Sequence, residues 1–273
     1  MKRIFPVVIA LLLSAAVSFS KDVSPLKVGI LSDVHCNNEN TTKYFVKALE
    51  YFRDNDVDAV MIAGDMIGWG LEWQLELFSQ KWYSVFPGDR GLNGKKIVKL
   101  FVYGNHEIVG HKYSSPKSRY TEEEIALQCI ANRREELWKK YFHEDFEPIY
   151  IKDVKGYKFI GAHFQTTKRT SGLEEFFDAV GRKLPKDKPF FYFQHTHPKG
   201  TCSGETVWGQ DNGESTELLK RYPNVIAFSG HSHTTLTDER TIWQGEFTSV
   251  GTGSISYAGF CLKKKSVSFG FEM

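Results

Sequence analysis

The chain has 273 residues, and its 41% hydrophobic and 14% aromatic content is typical of a globular protein with enough length for a buried core. Its 35 basic and 33 acidic residues leave a formal charge of only +2. This balance argues against a general nucleic-acid or anionic-membrane binder, because such binding depends on clustered cations.

The first twenty residues have the pattern of an export signal. Lys2 and Arg3 precede the apolar run IFPVVIALLLSAAV, and small residues occupy positions 18 and 20, which a signal peptidase reads. The run is short for a membrane span, so an uncleaved anchor is the less favoured alternative. We predict a signal peptide over residues 1–20, one mature domain over residues 21–273, and a periplasmic or secreted protein without stable membrane association. Loss of Lys2 and Arg3 would leave 33 basic and 33 acidic residues.

Five apolar segments, each followed at once by a polar cluster, organise the mature chain. In chain order they are LKVGIL, VDAVMIA, KIVKLFVY, KPFFYFQ and NVIAFS. Their length and their content of Val, Ile and Phe predict buried strands. Two further segments, YKFIGAH and IWQGEFTSVGTGSISY, are expected to add strands, the latter in a second sheet.

Two segments have the pattern of helices. In NTTKYFVKALEYFRDND, Phe45, Leu49 and Phe52 lie at helical spacing, and Thr41 or Thr42 is the expected cap. This helix joins the first two strands, so at least part of the sheet should be parallel. The segment TEEEIALQCIANRREELWKKYF predicts one further helix, with an acidic first turn and a basic last turn that suit the helix dipole.

The five polar clusters should meet, because ligands of open α/β sheets collect beyond the carboxyl ends of the strands. Their mixture of imidazole and carboxylate suits Zn, Fe, Mn or Co better than Ca or Mg. The number of candidates exceeds one tetrahedral zinc site and fits two ions about 3.5–4 Å apart that share a carboxylate. The candidates are Asp33, His35, Asp65, Asn105, His106, His195, His231 and His233.

The order of these clusters resembles the calcineurin-like metallophosphoesterase family. The resemblance rests on Asp33-Val34-His35, Gly64-Asp65, Gly104-Asn105-His106-Glu107, His195 and Gly230-His231-Ser232-His233. It implies a four-layer α/β sandwich, in which two mixed sheets are flanked by helices. It also implies two metal ions bridged by Asp65 and a hydroxide. One ion would be held by Asp33, His35 and His233, and the other by Asn105, His195 and His231.

The resemblance further implies hydrolysis of a phosphate ester by the bridging hydroxide, with His106 as general acid or electrostatic stabiliser of the leaving group. Monoesters and diesters both remain open as substrates. The alternative is a secreted metal- or ligand-binding protein that keeps the site without turnover. The chain departs from many relatives at Gly68, where they carry an acid that orients the catalytic histidine.

Several other residues allow two interpretations. His195 is favoured as the ligand over His197, which could instead contact substrate, and His163 is either a substrate contact or structural. Trp69, Trp73 and Trp82 could pack in the core or form an aromatic wall for a base or sugar. We expect Cys36 to be a packed thiol and Glu107 to anchor its loop; Lys168 and Arg169 are candidates for phosphate contacts. The four cysteines, Cys36, Cys129, Cys202 and Cys261, show no CxxC spacing, so free thiols and disulfides both stay open.

Overall fold

A computed structural model describes residues 25–165 and 172–255 of the chain. The predicted signal peptide, Lys168, Arg169 and Cys261 lie outside the described residues, so those predictions are untested. No helix in the described ranges is long and apolar enough to cross a membrane.

The described strands form two sheets. The first is parallel, in the order β1 (Val28–Leu31), β2 (Ala59–Ala63) and β3 (Val98–Val102). The second is mixed, with spatial order β4-β5-β6-β7-β9-β8. Its strands are β4 (Ile149–Val154), β5 (Tyr157–Ala162), β6 (Phe190–Phe193), β7 (Val225–Ser229), β8 (Ile242–Gln244) and β9 (Thr248–Gly251). The five predicted strands are confirmed as β1, β2, β3, β6 and β7, and the two further segments form β5 and the pair β8 and β9; β4 was not predicted.

Eight α-helices lie in the described ranges and cover the outer faces of the sheets or connect strands. They are α1 (Glu39–Asp54), α2 (Glu72–Val85), α3 (Asn105–Val109), α4 (Ser114–Lys117), α5 (Glu122–Gln128), α6 (Ile130–Phe142), α7 (Leu173–Val180) and α8 (Glu214–Leu219). Single 3-10 turns occupy Pro87–Asp89, Gly110–Lys112, Gly181–Lys183 and Glu239–Thr241.

The layer order follows from the alternation of side chains along the strands. Val60 and Ile62 of β2 face a core built with α1, α2 and α6, whereas Ala59 and Met61 face the second sheet. Ala59 and Met61 belong to a central core between the two sheets, and Ile226 of β7 points into the same core. Val225 and Ala227 of β7 point the other way, into a third core formed with α7 and α8. Both faces of each sheet are therefore covered, which explains why the strands are continuous apolar runs. The predicted four-layer α/β sandwich is confirmed. Both sheets were expected to be mixed, but over the described residues the first sheet is parallel throughout.

Two local predictions about the helices were wrong. The cap of α1 is Asn38, whose side chain accepts hydrogen bonds from the backbone N–H groups of Asn40 and Thr41, and Thr41 completes a capping box. The second predicted helix is two helices, α5 and α6, separated at Cys129. This residue is extended because it forms a β-bridge with Leu71, and a tertiary contact thus overrides helical propensity.

Candidate metal centre

The loops that follow β1, β2, β3, β6 and β7 meet at one edge of the sandwich and are joined by backbone hydrogen bonds. Asp33 N–H donates to the carbonyl of Gly64 (3.1 Å), and His35 N–H donates to that of Asp65 (3.0 Å). Across the second sheet, Gly230 N–H donates to the carbonyl of His195 (2.9 Å). The parallel strands make this possible, since their carboxyl ends lie at the same edge.

Five of the candidate residues have left-handed backbone conformations, which non-glycine residues rarely adopt. Such strain persists only where the surroundings hold it, and it is concentrated at functional sites. The φ angles are 52° for Asp33, 47° for His35, 53° for Asp65, 70° for His231 and 56° for His233.

The first group of converging side chains consists of Asp33, His35 and His233, whose ligand atoms all lie within 4.8 Å of one another. His233 Nε2 is 2.9 Å from Asp33 Oδ1 and 3.3 Å from His35 Nε2. Burial alone would raise the pKa of Asp33. The hydrogen bond to His233 and the nearby imidazoles outweigh burial, so the pKa lies below its ordinary value and this carboxyl is anionic. Nitrogen and anionic oxygen donors aimed at one point can hold a transition-metal ion.

The second group contains Asp65, His195 and His231, again within 4.8 Å, with Asn105 beside them. His195 Nε2 lies 3.1 Å from Asp65 Oδ2, 2.9 Å from Asn105 Oδ1 and 3.0 Å from His231 Nδ1. The other ring nitrogen of His195, Nδ1, donates a hydrogen bond to the carbonyl oxygen of Ala63 (2.8 Å). With Nδ1–H engaged in this way, loss of the Nε2 proton leaves a lone pair directed at the centre, as a metal ligand requires.

Asp65 lies between the two groups. Its Oδ2 is 3.1 Å from His195 Nε2 and 3.9 Å from His35 Nε2, one residue from each group. Burial opposes charge on His195, but the Asp65 carboxylate outweighs it and raises the pKa of His195 to about 9. The position of Asp65 fits that of a bridging carboxylate.

Each carboxylate keeps one oxygen for the centre, because the protein holds the other. Asp33 Oδ2 accepts from Ser32 Oγ and from His231 N–H (3.0 Å). Asp65 Oδ1 accepts from His106 N–H (2.9 Å). The backbone at Gly104 comes so close to Asp65 that a side chain has no room there, since a Cβ on Gly104 would lie 2.2 Å from Asp65 Oδ1. Such outer contacts orient metal ligands.

Glu107 joins two of the loops, as expected for an anchor. Its buried carboxylate accepts from the backbone N–H groups of Asp65 (3.2 Å), Ile67 (2.9 Å) and Gly104 (2.5 Å). Burial and the charge of Asp65 raise the pKa of Glu107 to about 8, while its backbone donors act in the opposite direction. Glu107 therefore fixes the positions of Asp65 and of the loop that carries Asn105.

His106 faces a cavity of about 330 Å³ beside the centre. Its Nδ1 lies 2.6 Å from the carbonyl oxygen of Gly68, and its Nε2 lies 3.9 Å from Asp65 Oδ2. The backbone carbonyl of Gly68 thus orients the ring, in place of the acid that the family resemblance led us to expect at this position. The cavity is lined by His35, Asn37, Thr41, Gly68, Trp69, His106, Tyr113, Ser115 and His233.

The structure decides between several alternatives. His197 is buried, and both its ring nitrogens are engaged inside the protein, by Ser229 Oγ (2.7 Å) and Ser232 Oγ (2.6 Å), which leaves none directed at the cavity. His163 is also buried, where Nδ1 accepts from the N–H of Tyr103 (3.0 Å), and is structural.

The aromatic and sulfur side chains also have definite places. Trp82 is in the core, whereas Trp69 lines the cavity with Trp73 packed against it. Burial raises the pKa of the Cys36 thiol, in keeping with a packed thiol. Within the described ranges the cysteines are free and buried, namely Cys36, Cys129 and Cys202.

Sequence reasoning missed three groups near the centre. Tyr113 Oη accepts from Asn105 Nδ2 (2.9 Å), which turns Asn105 Oδ1 toward His195. The Gly68 carbonyl and Trp208, whose ring lies 5.0 Å from that of His231, also escaped notice. Of these three groups, only Tyr113 could have been found from the sequence, because it lies close to the Asn105-His106 motif in the chain. A backbone carbonyl has no sequence pattern, and Trp208 lies outside all five polar clusters.

All eight predicted site residues therefore lie together, in two groups around Asp65 with His106 beside them. The donors, the His195 tautomer and the oriented carboxylates fit metal ions. The individual ligand roles stay predictions.

Comparison with known proteins gives a family match and several similar folds. A family model described as calcineurin-like phosphoesterase matches residues 26–235. The fold is similar to a dimetal phosphatase from Danio rerio, at 12% identity and TM-score 0.50, covering 84% of this chain and 88% of that one. It is also similar to the protein TT1561 of Thermus thermophilus, at 12% identity and TM-score 0.54, with coverage of 85% and 91%.

A third similar structure is a purple acid phosphatase from yellow lupin (Lupinus luteus), at 17% identity and TM-score 0.53. The match covers 84% of this chain and 44% of the lupin enzyme. At such identities the likeness is one of fold. No curated protein matches the sequence.

Proposed function

The chain belongs to the calcineurin-like phosphoesterase family, and from this premise we propose that it hydrolyses phosphate esters with two metal ions. The observation that carries the proposal is the convergence of two ligand groups on Asp65, whose Oδ2 is within 4 Å of a histidine from each group. Manganese, zinc, iron and cobalt all suit this mixture of nitrogen and oxygen donors.

The proposed ligands divide as the two groups do. Asp33, His35 and His233 would hold one ion, while Asn105, His195 and His231 would hold the other, with Asp65 shared. When bound, the ions would supply Lewis acidity, lowering the pKa of a shared water that attacks phosphorus directly and neutralising phosphate oxygens. Cys36 is not needed as a nucleophile, since its thiol stays protonated.

His106 is the proposed proton donor to the leaving oxygen. Its Nδ1–H donates to the Gly68 carbonyl, so Nε2 is the nitrogen that faces the cavity. The Nδ1 bond exists in both the neutral and the protonated imidazole. The ring can therefore give up the Nε2 proton without losing its orientation, which general acid catalysis requires.

Asn105 and Glu107 support the reaction by position. Tyr113 holds the amide of Asn105 with its oxygen directed to the second group. Glu107 fixes the backbone on both sides of the centre through three N–H groups. These contacts preset the geometry before substrate arrives, so less reorganisation is needed during reaction.

The test is release of p-nitrophenol from mono- and bis-(p-nitrophenyl) phosphate by protein stripped of metal and reloaded with Mn, Zn, Fe or Co. We expect turnover that requires metal and is abolished by His195→Asn but largely retained by His197→Asn. This pair is matched, because both histidines are buried and two residues apart. Stoichiometric metal without turnover of either ester would overturn the proposal and favour a metal-binding protein.

We also propose that the protein acts outside the cytoplasm on a small-molecule ester, without general nucleic-acid binding. The charged, apolar and small-residue pattern of positions 1–20 supports export. Mass spectrometry of the protein from its native compartment should find a mature chain that begins near Lys21. A chain that retains Met1 in the cytoplasm would contradict this.

A further inference from the structure

We propose that Trp208 is a substrate-contact residue and that the substrate is a phosphodiester. The ester group that stays on phosphorus after hydrolysis is planar, such as an aromatic ring or a nucleobase, and it contacts Trp208. This inference rests on the proposed function. Trp208 is 61% exposed. Its ring centroid lies 5.0 Å from that of His231 and 6.4 Å from that of His233, one proposed ligand of each ion.

An indole so exposed leaves a large apolar face in water, which a planar ligand group could cover. Stacking on an aromatic side chain accepts any flat ring, because every such ring has a π face. Trp208 does not line the cavity beside His106, and neither do other exposed apolar side chains of the described chain, such as Leu92 and Leu127. The position of Trp208 beside both histidines distinguishes it from them.

The loop that carries Trp208 is held in place. The side-chain amide of Gln210 donates to the carbonyls of Glu205 (2.7 Å) and Val207 (2.9 Å), and its oxygen accepts from Gly200 N–H (2.8 Å). Gly209 has a φ of 82°, and a Cβ there would lie 2.1 Å from His231 Cδ2. The loop therefore lies directly against His231, and the backbone that carries Trp208 is fixed before a ligand binds, so less ordering is needed on binding.

The position of Trp208 relative to His106 indicates which ester group it contacts. Ring contacts run from Trp208 to His233, then to His35 (5.3 Å) and from His35 to His106 (4.5 Å). Two imidazoles thus separate Trp208 from His106, the proposed donor to the leaving group. The cavity next to His106 contains a second flat ring, Trp69.

A leaving group therefore fits the cavity of Trp69, while a group near Trp208 is the one that stays on phosphorus. Only a diester carries both. This arrangement favours the diester among the two substrate classes that the sequence leaves open.

The test uses two diesters with the same leaving group, bis-(p-nitrophenyl) phosphate and methyl p-nitrophenyl phosphate, on metal-loaded protein. In Trp208→Ala we expect KM for the first to rise by at least about fivefold, with kcat within about twofold and the second substrate little affected. Trp208→Phe should keep most of the preference. Tyr51→Ala, which removes an aromatic ring that is 46% exposed in α1, is the control and should change neither. Equal effects of Trp208→Ala on both esters, or none, would overturn the inference.

A binding measurement keeps this inference separate from the proposed function. Calorimetry would compare phenylphosphonate with methylphosphonate, which are not hydrolysed, on the same metal-loaded variants. Loss of the preference for the phenyl compound in Trp208→Ala supports the inference, and an unchanged preference overturns it. If the wild type turned over neither these diesters nor p-nitrophenyl phosphate, the proposed function would fail while this binding result still decided the role of Trp208.

Discussion

Nδ1 of His106 lies 2.6 Å from the carbonyl oxygen of Gly68, so a neutral backbone group orients this ring. A side chain has no room at Gly68 in this arrangement, because a Cβ there would lie 2.1 Å from Oδ1 of Asn37. That oxygen is itself held by Gln74 Nε2 at 2.6 Å. A carbonyl does not titrate, so the orientation of His106 does not depend on the ionisation of a partner.

Gly68→Ala should lower kcat by a factor on the order of ten to one hundred, because either Asn37 or the Gly68 carbonyl must move. Metal content, measured by elemental analysis, should stay unchanged, since neither residue is a ligand. The double variant Asn37→Ala/Gly68→Ala relieves the clash and should recover part of the loss. A double variant no better than Gly68→Ala would contradict this explanation.

His35→Ala and Cys36→Ser should separate a ligand from its neighbour. His35→Ala removes one donor of the first group, so bound metal should fall from about two ions per chain to about one. Activity should fall by a factor on the order of one hundred. Cys36→Ser should keep about half the activity or more, because a buried thiol of raised pKa is neither ligand nor nucleophile. Inactive Cys36→Ser with normal metal content would refute the packed-thiol interpretation.

Glu107→Gln should destabilise the protein and weaken the centre together. The amide offers one acceptor oxygen for three backbone donors and brings its own N–H groups against them. Leaving buried N–H groups unpaired should cost about 1–3 kcal/mol in the free energy of unfolding, measured by urea denaturation. Glu135→Gln, on the exposed face of α6, is the matched control and should be neutral. Equal stability of the two variants would show that Glu107 is dispensable.

His163→Asn should reduce the loss of stability on acidification. Burial, with the charges of Lys152 and Arg134, lowers the pKa of His163 from 6.5 to about 3. Between these values the unfolded chain binds more protons, so the folded state has its full stability above pH 6.5 and loses it as pH falls toward 3. Asparagine keeps an acceptor for Tyr103 but does not titrate.

The check is urea denaturation of metal-free wild type and His163→Asn at several pH values from 7 to 4. As the pH falls, the free energy of unfolding should decrease more steeply for the wild type than for His163→Asn. The two slopes should differ by at most about 1.4 kcal/mol per pH unit, the value for one proton. All other ionisable groups are the same in both proteins, so their contributions cancel in the difference. Parallel pH curves would mean that His163 already titrates normally. The exposed His143→Asn should follow the wild type.

Much of the architecture is written in local sequence pattern. A strand that is covered on both faces is an unbroken apolar run, as in VDAVMIA. Such a run can be recognised from the local sequence without knowing which elements pack against it. Where a local pattern competed with a tertiary contact, prediction was wrong: Cys129 lies in a good helical segment but pairs with Leu71 and divides it. Asn38 displaced Thr41 as the cap of α1 for a smaller reason, since both types are good caps and only geometry chooses between them.

The candidate centre divides in the same way. The sequence by itself determined which residues converge, because each candidate directly follows a strand and the carboxyl ends of parallel strands share one edge. Three other relationships became visible only in the folded chain: a carbonyl orients His106, His197 turns into the interior, and Trp208 lies beside His231. Those relationships depend on distances between loops remote in the chain, and no periodicity or motif encodes the separation of two atoms that meet only after folding.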